Sequence, residues 1–164
     1  MNLNPVTLKK LKRFKSIKRG YYSFVIFSVL VVISLLAELL VNSRALAVSY
    51  QGELYFPTYG DVIPGQHFGL DYEYETNYRQ LKSQFAKEDK GDWVLLPLVP
   101  WNPYEQDFKE EAYPPYAPSL AERHFLGTDT SGRDVLARLV YGFRIAIGFA
   151  FIALVASYVI GVSI

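Results

Sequence analysis

Two uninterrupted apolar runs stand out from the mixed pattern of hydrophobic and polar positions along the chain. The first, residues 21–41, has 21 residues and one charge, Glu38, and the second, residues 145–164, has 20 residues and no charge. At about 1.5 Å per residue each run forms a helix of roughly 30 Å, the thickness of the hydrocarbon core of a bilayer. Neither run has the polar stripe of a helix that packs on a soluble core. The pattern therefore predicts two membrane-spanning helices.

The segment between the runs is interrupted by proline. Eight of the nine prolines lie in residues 42–143, together with both tryptophans and ten of the thirteen tyrosines. Proline removes a backbone donor and moves the preceding residue to extended geometry, so this density excludes long helices. Turn signals at Gly60-Asp61 and Pro64-Gly65 favour short strands or extended pieces between turns.

One helix is predicted within this segment, at about residues 76–89. Tyr78, Leu81 and Phe85 recur there at helical spacing and form one apolar face. The stretch WVLLPLVPWNPYEQ that follows is apolar, but three prolines interrupt it, so we do not expect it to cross a membrane.

Charge is distributed unevenly, although the total is only +1. Residues 1–20 carry seven basic and no acidic side chains, whereas residues 42–118 carry twelve acids and six bases. Because basic residues collect on the cytoplasmic side of spans, this predicts a cytoplasmic N-terminus and an exported middle segment. A nucleic-acid-binding tail is the alternative for the basic arm, but bases next to a span are more typical of topology and contact with the lipid bilayer, and no nucleic-acid partner is expected.

A cleaved secretory signal is a second interpretation of the N-terminus. The basic start, the apolar run and the stretch ALA at residues 45–47 fit it. The apolar core of such signals has about 7–15 residues, whereas this run has 21, so we expect an uncleaved anchor. The chain has no cysteine, which leaves no disulfide and no thiolate for metal binding or catalysis.

Catalytic patterns are absent from the sequence. His67 and His124 are far apart, and neither a nucleophile elbow, an H-E-x-x-H motif nor a phosphate-binding loop occurs. The adjacent Glu110 and Glu111 carry no specific acid–base signal. We expect no enzyme activity, no catalytic residues and no metal or cofactor site. The aromatic and acidic residues of the exported segment fit either a contact surface for carbohydrate or peptide or, more simply, a small aromatic core.

Residues 124–144, HFLGTDTSGRDVLARLVYGFR, lie directly before the second run. Ser131 and Asp134 have the spacing of a capping box, which predicts a helix that begins near Gly132. Arg133 is expected to fork onto Asp129 or a neighbouring carboxylate. The candidate structural or interface motif consists of Gly127, Thr128, Asp129, Ser131, Gly132, Arg133, Asp134 and Arg138.

The residues after this motif predict an amphipathic helix of about three turns at the outer membrane interface, ahead of the second span. Its apolar face consists of Val135, Leu136, Leu139, Val140 and Phe143. Arg133, Arg138 and Arg144 then lie on the side of the membrane that basic residues avoid, a conflict that requires a structural reason.

The expected fold class is an α-helical membrane protein with two transmembrane helices that flank an extracytoplasmic loop of roughly 100 residues. A basic cytoplasmic arm occupies residues 1–20 and the spans occupy residues 21–41 and 145–164. Between them lie the loop of mixed short strands and helices at residues 42–123, rich in proline and aromatic residues, and the motif with its interface helix at residues 124–144.

The last 41 residues resemble a segment of the C-type permease subunits of dipeptide and oligopeptide ABC importers, H-x-L-G-T-D-x-x-G-R-D-V-L-x-R-L-x-Y-G-x-R followed by a span. The matching positions are His124, Leu126, Gly127, Thr128, Asp129, Gly132, Arg133, Asp134, Val135, Leu136, Arg138, Leu139, Tyr141, Gly142 and Arg144. The resemblance implies a bacterial inner-membrane subunit that pairs with a sister permease. It also implies cytoplasmic ATPases, which would bind the ATP, and a periplasmic peptide-binding protein.

The chain departs from that family in two respects. Its exported loop is longer than usual, and in its length and aromatic content it resembles the branch of permeases that serve microcin C and related peptides. It also ends at Ile164, whereas such permeases have about six spans and a cytoplasmic E-A-A-x-x-x-G loop, so the chain is expected to be the N-terminal part of one.

Two other classes share this layout of arm, span, exported segment and span: a membrane sensor whose signalling domain follows, and a membrane-anchored scaffold protein. The loops of such sensors are often long helices or compact α/β units, whereas this one is interrupted by proline. Neither class accounts for the GTDTSGRD pattern, and further spans downstream would distinguish the permease from both.

Overall fold

The computed structural model describes residues 4–88, 90–109 and 112–163 of the 164-residue chain. Along the described part, the helices are α1 (Pro5–Ser16), α2 (Lys18–Leu35), α3 (Ala37–Leu40), α4 (Tyr78–Glu88) and α5 (Val135–Ser163), and the strands are β1 (Ala47–Tyr50), β2 (Glu53–Tyr55) and β3 (Trp93–Leu95). A short 3₁₀ helix at Gly65–Phe68 lies between β2 and α4. The basic arm is therefore helical, and the side chain of Asn4 caps α1 by accepting from the Val6 N–H at 3.1 Å.

Helices α2 and α5 are long and apolar enough to cross a membrane, with 18 and 29 residues. Only 6% of the apolar window of α2, and none of that of α5, is buried. A core helix of a soluble protein would bury most of such a surface. This exposure is the pattern of helices whose surroundings are lipid or other spanning helices.

The first apolar run forms two helices. The run was predicted at residues 21–41, whereas α2 begins at Lys18 and ends at Leu35, and α3 follows after Leu36. After α3 the chain pairs with the middle segment: the Val99 N–H donates to Leu40 O at 2.9 Å and the Asn42 N–H donates to Val99 O at 3.1 Å. Pairing of this kind provides partners for backbone groups at the end of the helix.

Strands β1, β2 and β3 form an antiparallel sheet in the order β2-β1-β3. Gln51 and Gly52 join β1 to β2, and both have positive φ, 52° and 85°, as a two-residue hairpin of type I′ requires. Helix α4 packs on this sheet and completes an aromatic core. The buried members of this core are Ala45, Val48, Phe68, Leu70, Tyr78, Leu81, Phe85 and Val94.

Helix α4 lies within the range that the apolar spacing predicted. Its three buried residues, Tyr78, Leu81 and Phe85, are those assigned to the apolar face. The last predicted position, Asp89, lies outside the described residues, as do Glu110 and Glu111.

A second, smaller core joins the middle segment to the helices. Val41 follows α3, Val99 and Trp101 come from the middle segment, and Ala137 belongs to the first turn of α5. Ala137 has no exposed surface. The folded middle segment is therefore packed on the end of α3 and the start of α5.

The predicted interface helix is not a separate element. Helix α5 runs without interruption from Val135 to Ser163, so it contains both the predicted amphipathic helix and the second apolar run, except for Ile164, which lies outside the described residues. No proline occurs in this range, so nothing removes a helical hydrogen bond at the expected boundary. The predicted start near Gly132 is also wrong, since the helix begins three residues later at Val135.

Candidate functional site

Asp134 caps α5. Its Oδ1 accepts from the Ala137 N–H at 2.6 Å, and its backbone oxygen accepts from the Arg138 N–H at 3.2 Å, so it is the N-cap residue. The predicted cap, Ser131, does not contribute in this way, because its N–H donates to Asp129 Oδ1 at 2.8 Å in the turn before the helix. A compact turn at residues 129–133 therefore takes the place of the expected first helical turn.

The carboxylate of Asp129 is the centre of that turn. Its Oδ1 accepts from the N–H groups of Ser131 and Arg133, and its Oδ2 accepts from Arg133 Nε at 3.0 Å and from the guanidinium of Arg138. Burial alone would raise the pKa of Asp129, but the backbone N–H groups of Arg133 and Ser131 and the Arg133 guanidinium outweigh it and hold this pKa below its usual range. The predicted contact between Arg133 and Asp129 is present, and Arg138 joins it.

Two glycines allow the motif to lie directly against the backbone of the middle segment. Gly127 and Gly132 have φ of 73° and 76°, the left-handed region that other residues rarely adopt. A Cβ atom would lie 2.5 Å from Tyr116 O at Gly127 and 2.4 Å from Asp107 O at Gly132. The Asp107 N–H also donates to Gly132 O at 2.9 Å, so the close approach is a paired one. Only glycine fits either position without displacing the backbone.

His124 lies beneath the cap and is fully buried. Its Nδ1 donates to Asp134 Oδ2 at 2.8 Å, since an ionised carboxylate can only accept. Its Nε2 has no hydrogen-bond partner among the described residues and faces Asp107 Oδ2 at 3.4 Å. The imidazole ring therefore lies between two carboxylates: that of the capping residue, Asp134, at Nδ1, and that of Asp107 at Nε2.

Trp101 connects His124 and the cap of α5 to helix α4. Its ring stacks on the His124 ring with a centroid distance of 4.2 Å, and its Nε1 donates to Glu122 O at 2.9 Å. The guanidinium of Arg79, on α4, lies 3.9 Å from the centre of the Trp101 ring, within the range of a cation–π contact. A continuous set of contacts therefore leads from Arg79 through Trp101 and His124 to the cap of α5.

The three arginines that conflicted with the charge rule are paired in the structure. Arg133 and Arg138 contact Asp129, and Arg144 contacts Glu38, on α3, with Nη1 and Oε1 3.2 Å apart. Such partly exposed pairs contribute little to stability, about 1 kcal/mol or less. They do neutralise the three cations next to the spans. This pairing explains how basic residues are accommodated at positions that the charge rule disfavours.

The structure brings the predicted motif residues together in one compact cluster, which we name the GTD/GRD motif (residues 127–138). Thr128, the remaining member, is buried and its Oγ1 accepts from the Tyr116 N–H at 2.8 Å. Sequence reasoning missed His124, Trp101 and Asp107 as partners of the motif. Of these three, only His124 carries a sequence signal, because it lies within the matched pattern, ten residues before Asp134, whereas Trp101 and Asp107 lie outside that pattern.

The contacts of the site join the start of α5 to the middle segment. Within residues 4–88, 90–109 and 112–163, no group of three or more histidine and acidic side chains is placed to hold a metal ion. Two helices long and apolar enough to span a membrane, with a packed middle segment between them, are the architecture of a helical membrane protein.

Comparison with known proteins shows that the chain is similar to permease proteins of transport systems. It is 33% identical to the peptidoglycan transport system permease protein YejE of Agrobacterium fabrum over 184 aligned residues, which cover 98% of this chain and 47% of that protein. It is 35% identical to the inner membrane ABC transporter permease protein YejE of Escherichia coli, over 98% of this chain and 46% of that protein.

A dipeptide transport system permease protein, DppC of Haemophilus influenzae, is 36% identical over 73 residues, 43% of this chain and 25% of that protein. The resemblance to C-type permease subunits of peptide importers is thus confirmed, and the chain spans about half the length of the curated relatives that match nearly all of it. No model of a protein family matches the chain, and no solved structure matches it.

Proposed function

We propose that the chain is the N-terminal part of a permease subunit of an ATP-driven importer that brings peptides across the bacterial inner membrane. The observation that carries this is the match of 98% of the chain to two ABC-type or peptidoglycan transport permeases. The partial match to dipeptide permeases supports the substrate class. The partners proposed are a sister permease subunit, two cytoplasmic ATPase subunits, which supply the ATP-binding sites, and a periplasmic binding protein.

A chimera tests this function. Residues 1–164 replace the aligned half of the Agrobacterium permease in a strain that lacks its own copy, and uptake of labelled short peptides and peptidoglycan fragments is measured. We expect uptake to return, because the match extends over nearly all of this chain. A chimera that inserts and co-purifies with its partner subunits, yet imports neither kind of substrate, would contradict the proposal. The matched control is the unmodified Agrobacterium permease expressed at the same level.

The proposed orientation has a cytoplasmic N-terminus and an exported segment. The seven bases before α2 and the acidic middle segment support it. The chain has no cysteine, so a single introduced cysteine reports its side of the membrane without interference. Ser16 on α1 and Tyr113, whose surface is 95% exposed, are suitable positions.

An impermeant maleimide added to intact spheroplasts is expected to label Tyr113→Cys and not Ser16→Cys, and to label both once the membranes are opened. The reverse pattern would show that the orientation is wrong. A shortened product that lacks the first apolar run, remains in the membrane through α5 and carries the label at position 113 would instead support a cleaved signal.

The proposed role of the GTD/GRD motif is to fix the entry of α5 into the membrane and to contribute to the contact with the sister subunit or the binding protein. The cap by Asp134 and the Asp129 turn support the first part. In the chimera, Arg133→Ala and Asp134→Ala are expected to reduce assembly and uptake. If both variants assemble and import as well as the parent chimera, the motif has no such interface role.

A further inference from the structure

A cleft of about 490 Å³ opens next to residues 43 and 44, which follow α3. Three loop regions and the first turn of α4 line it. Its volume lies within the range of sites that hold small ligands, roughly 300–1,000 Å³. The cleft is distinct from the GTD/GRD motif, none of whose residues lines it.

The charges in this cleft neutralise one another. Arg44 Nε lies 2.5 Å from Glu75 Oε1, and Arg79 Nη1 lies 3.2 Å from Glu105 Oε2. Arg79 is also held by Pro100 O, which accepts from its Nη1 at 2.5 Å. Because each arginine is paired with a glutamate, these side chains add no net charge that would favour an ion. Their planar guanidinium and carboxylate groups still present fixed donors and acceptors to neutral hydroxyl groups.

Two asparagines add donors to the same cleft. Asn77 Oδ1 accepts from the N–H groups of Arg79 and Gln80, each at 3.2 Å, and Asn102 Oδ1 accepts from the Tyr104 N–H at 3.0 Å. Because each carbonyl oxygen is engaged with the backbone, the orientation of each side-chain amide is fixed. Within the described part of the chain neither amide nitrogen has an acceptor, so both remain available to a ligand.

Two tyrosine rings flank these polar groups. Tyr74 and Tyr104 are 69% and 77% exposed although both line the cleft. Tyr74 stacks on Tyr72, with centroids 4.1 Å apart and planes 10° apart, so one face of its ring is covered and the other remains free. A rigid, exposed aromatic face next to fixed polar groups suits a ligand that has one apolar face and a polar rim.

We propose that this cleft binds a short oligosaccharide. A pyranose ring presents C–H groups on one face, which pack on an aromatic ring, and hydroxyl groups around its edge, which need planar donors and acceptors. An extended peptide is the less favoured occupant, because peptides in grooves pair with a strand edge, and no residue of β1, β2 or β3 lines the cleft. Saccharide binding here goes beyond the proposed transport function and does not depend on it.

The test is binding of trisaccharides to the full 164-residue chain in lipid nanodiscs, since sugar-based detergents would compete. Cellotriose, maltotriose and tri-N-acetylchitotriose are titrated and followed by calorimetry and saturation-transfer NMR, with trialanine as the peptide arm. We expect saturable binding of at least one trisaccharide. Tyr74→Ala and Tyr104→Ala are each expected to weaken it by about tenfold, which corresponds to about 1.4 kcal/mol.

The matched control is Tyr59→Ala, a tyrosine that is 70% exposed and does not line the cleft, and its binding is expected to be unchanged. Tyr104→Phe keeps the ring and is expected to bind within about twofold of the parent. The proposal is overturned if no trisaccharide saturates, if only trialanine binds, or if Tyr59→Ala weakens binding as much as the cleft variants. Because no ATPase or uptake is involved, failure here leaves the transport proposal untouched.

Discussion

Replacement of Gly132 by alanine is expected to lower the free energy of unfolding by roughly 3 kcal/mol. Two physical costs add at this position. The φ of 76° places an L-residue in the left-handed region, which costs about 1–2 kcal/mol. The new Cβ would also lie 2.4 Å from Asp107 O, and residue 107 cannot move away without breaking the hydrogen bond that its N–H donates to Gly132 O.

Gly91→Ala separates these two costs. Gly91 has a similar φ of 86°, but nothing lies within 4 Å of the position of its Cβ. We expect this control to lose only about 1 kcal/mol. Denaturant and thermal unfolding of both variants in the same non-ionic detergent measure the difference. Equal losses in the two variants would mean that the contact between the GTD/GRD motif and residue 107 is not close in solution.

The second large effect is expected for His124→Ala, a loss of about 3 kcal/mol. The substitution removes a fully buried ring that stacks on Trp101, and it leaves a cavity. It also removes the partner of Asp134 Oδ2, so a buried carboxylate that caps α5 loses a hydrogen bond. Unfolding in detergent, together with near-ultraviolet circular dichroism of the Trp101 environment, measures both consequences.

His67→Ala is the matched control, because His67 is exposed and contacts the rings of Tyr55 and Phe68 edge-on. Its loss is expected to be below about 1 kcal/mol. His124→Asn, whose amide nitrogen replaces Nδ1, is expected to recover part of the loss. If His124→Ala is as stable as the control, the histidine does not hold the cap.

The spanning helices and α4 were predictable because each depends on a local pattern. Residues 145–164 form a long run without charge, which predicts a span, and Tyr78, Leu81 and Phe85 recur at helical spacing, which predicts α4. The pairing of Arg133 with Asp129 was also predictable, since residues four apart in a tight turn are within reach.

The wrong predictions concern competition between neighbouring signals. Ser131 and Asp134 both favour helix caps, and sequence alone does not show that Asp129 engages the Ser131 backbone and leaves Asp134 as the cap. The interface helix was predicted as separate from the second span because its side chains are more polar. Helical backbone hydrogen bonds nevertheless continue through such a change in side-chain polarity when no proline intervenes.

The remaining features depend on contacts between distant residues. Trp101 reaches His124 across 23 positions, and Asp107 reaches Gly132 across 25, so no spacing rule links them. The cleft likewise combines residues near positions 44, 75 and 104, which only the folded chain brings together. The positions of these residues are determined by the packing of the whole middle segment, not by local propensity.

The stack of Trp101 on His124 joins the middle segment and the start of α5 in one packed unit. Trp101 and Val99 share a core with Ala137, and His124 holds Asp134, so neither half of this core is complete without the other. An excised soluble version that ends before Val135 would expose this core and lose the helix that the Asp134 side chain caps. Dissection of the protein into a water-soluble part and a membrane part therefore has no clean cutting point at residue 134.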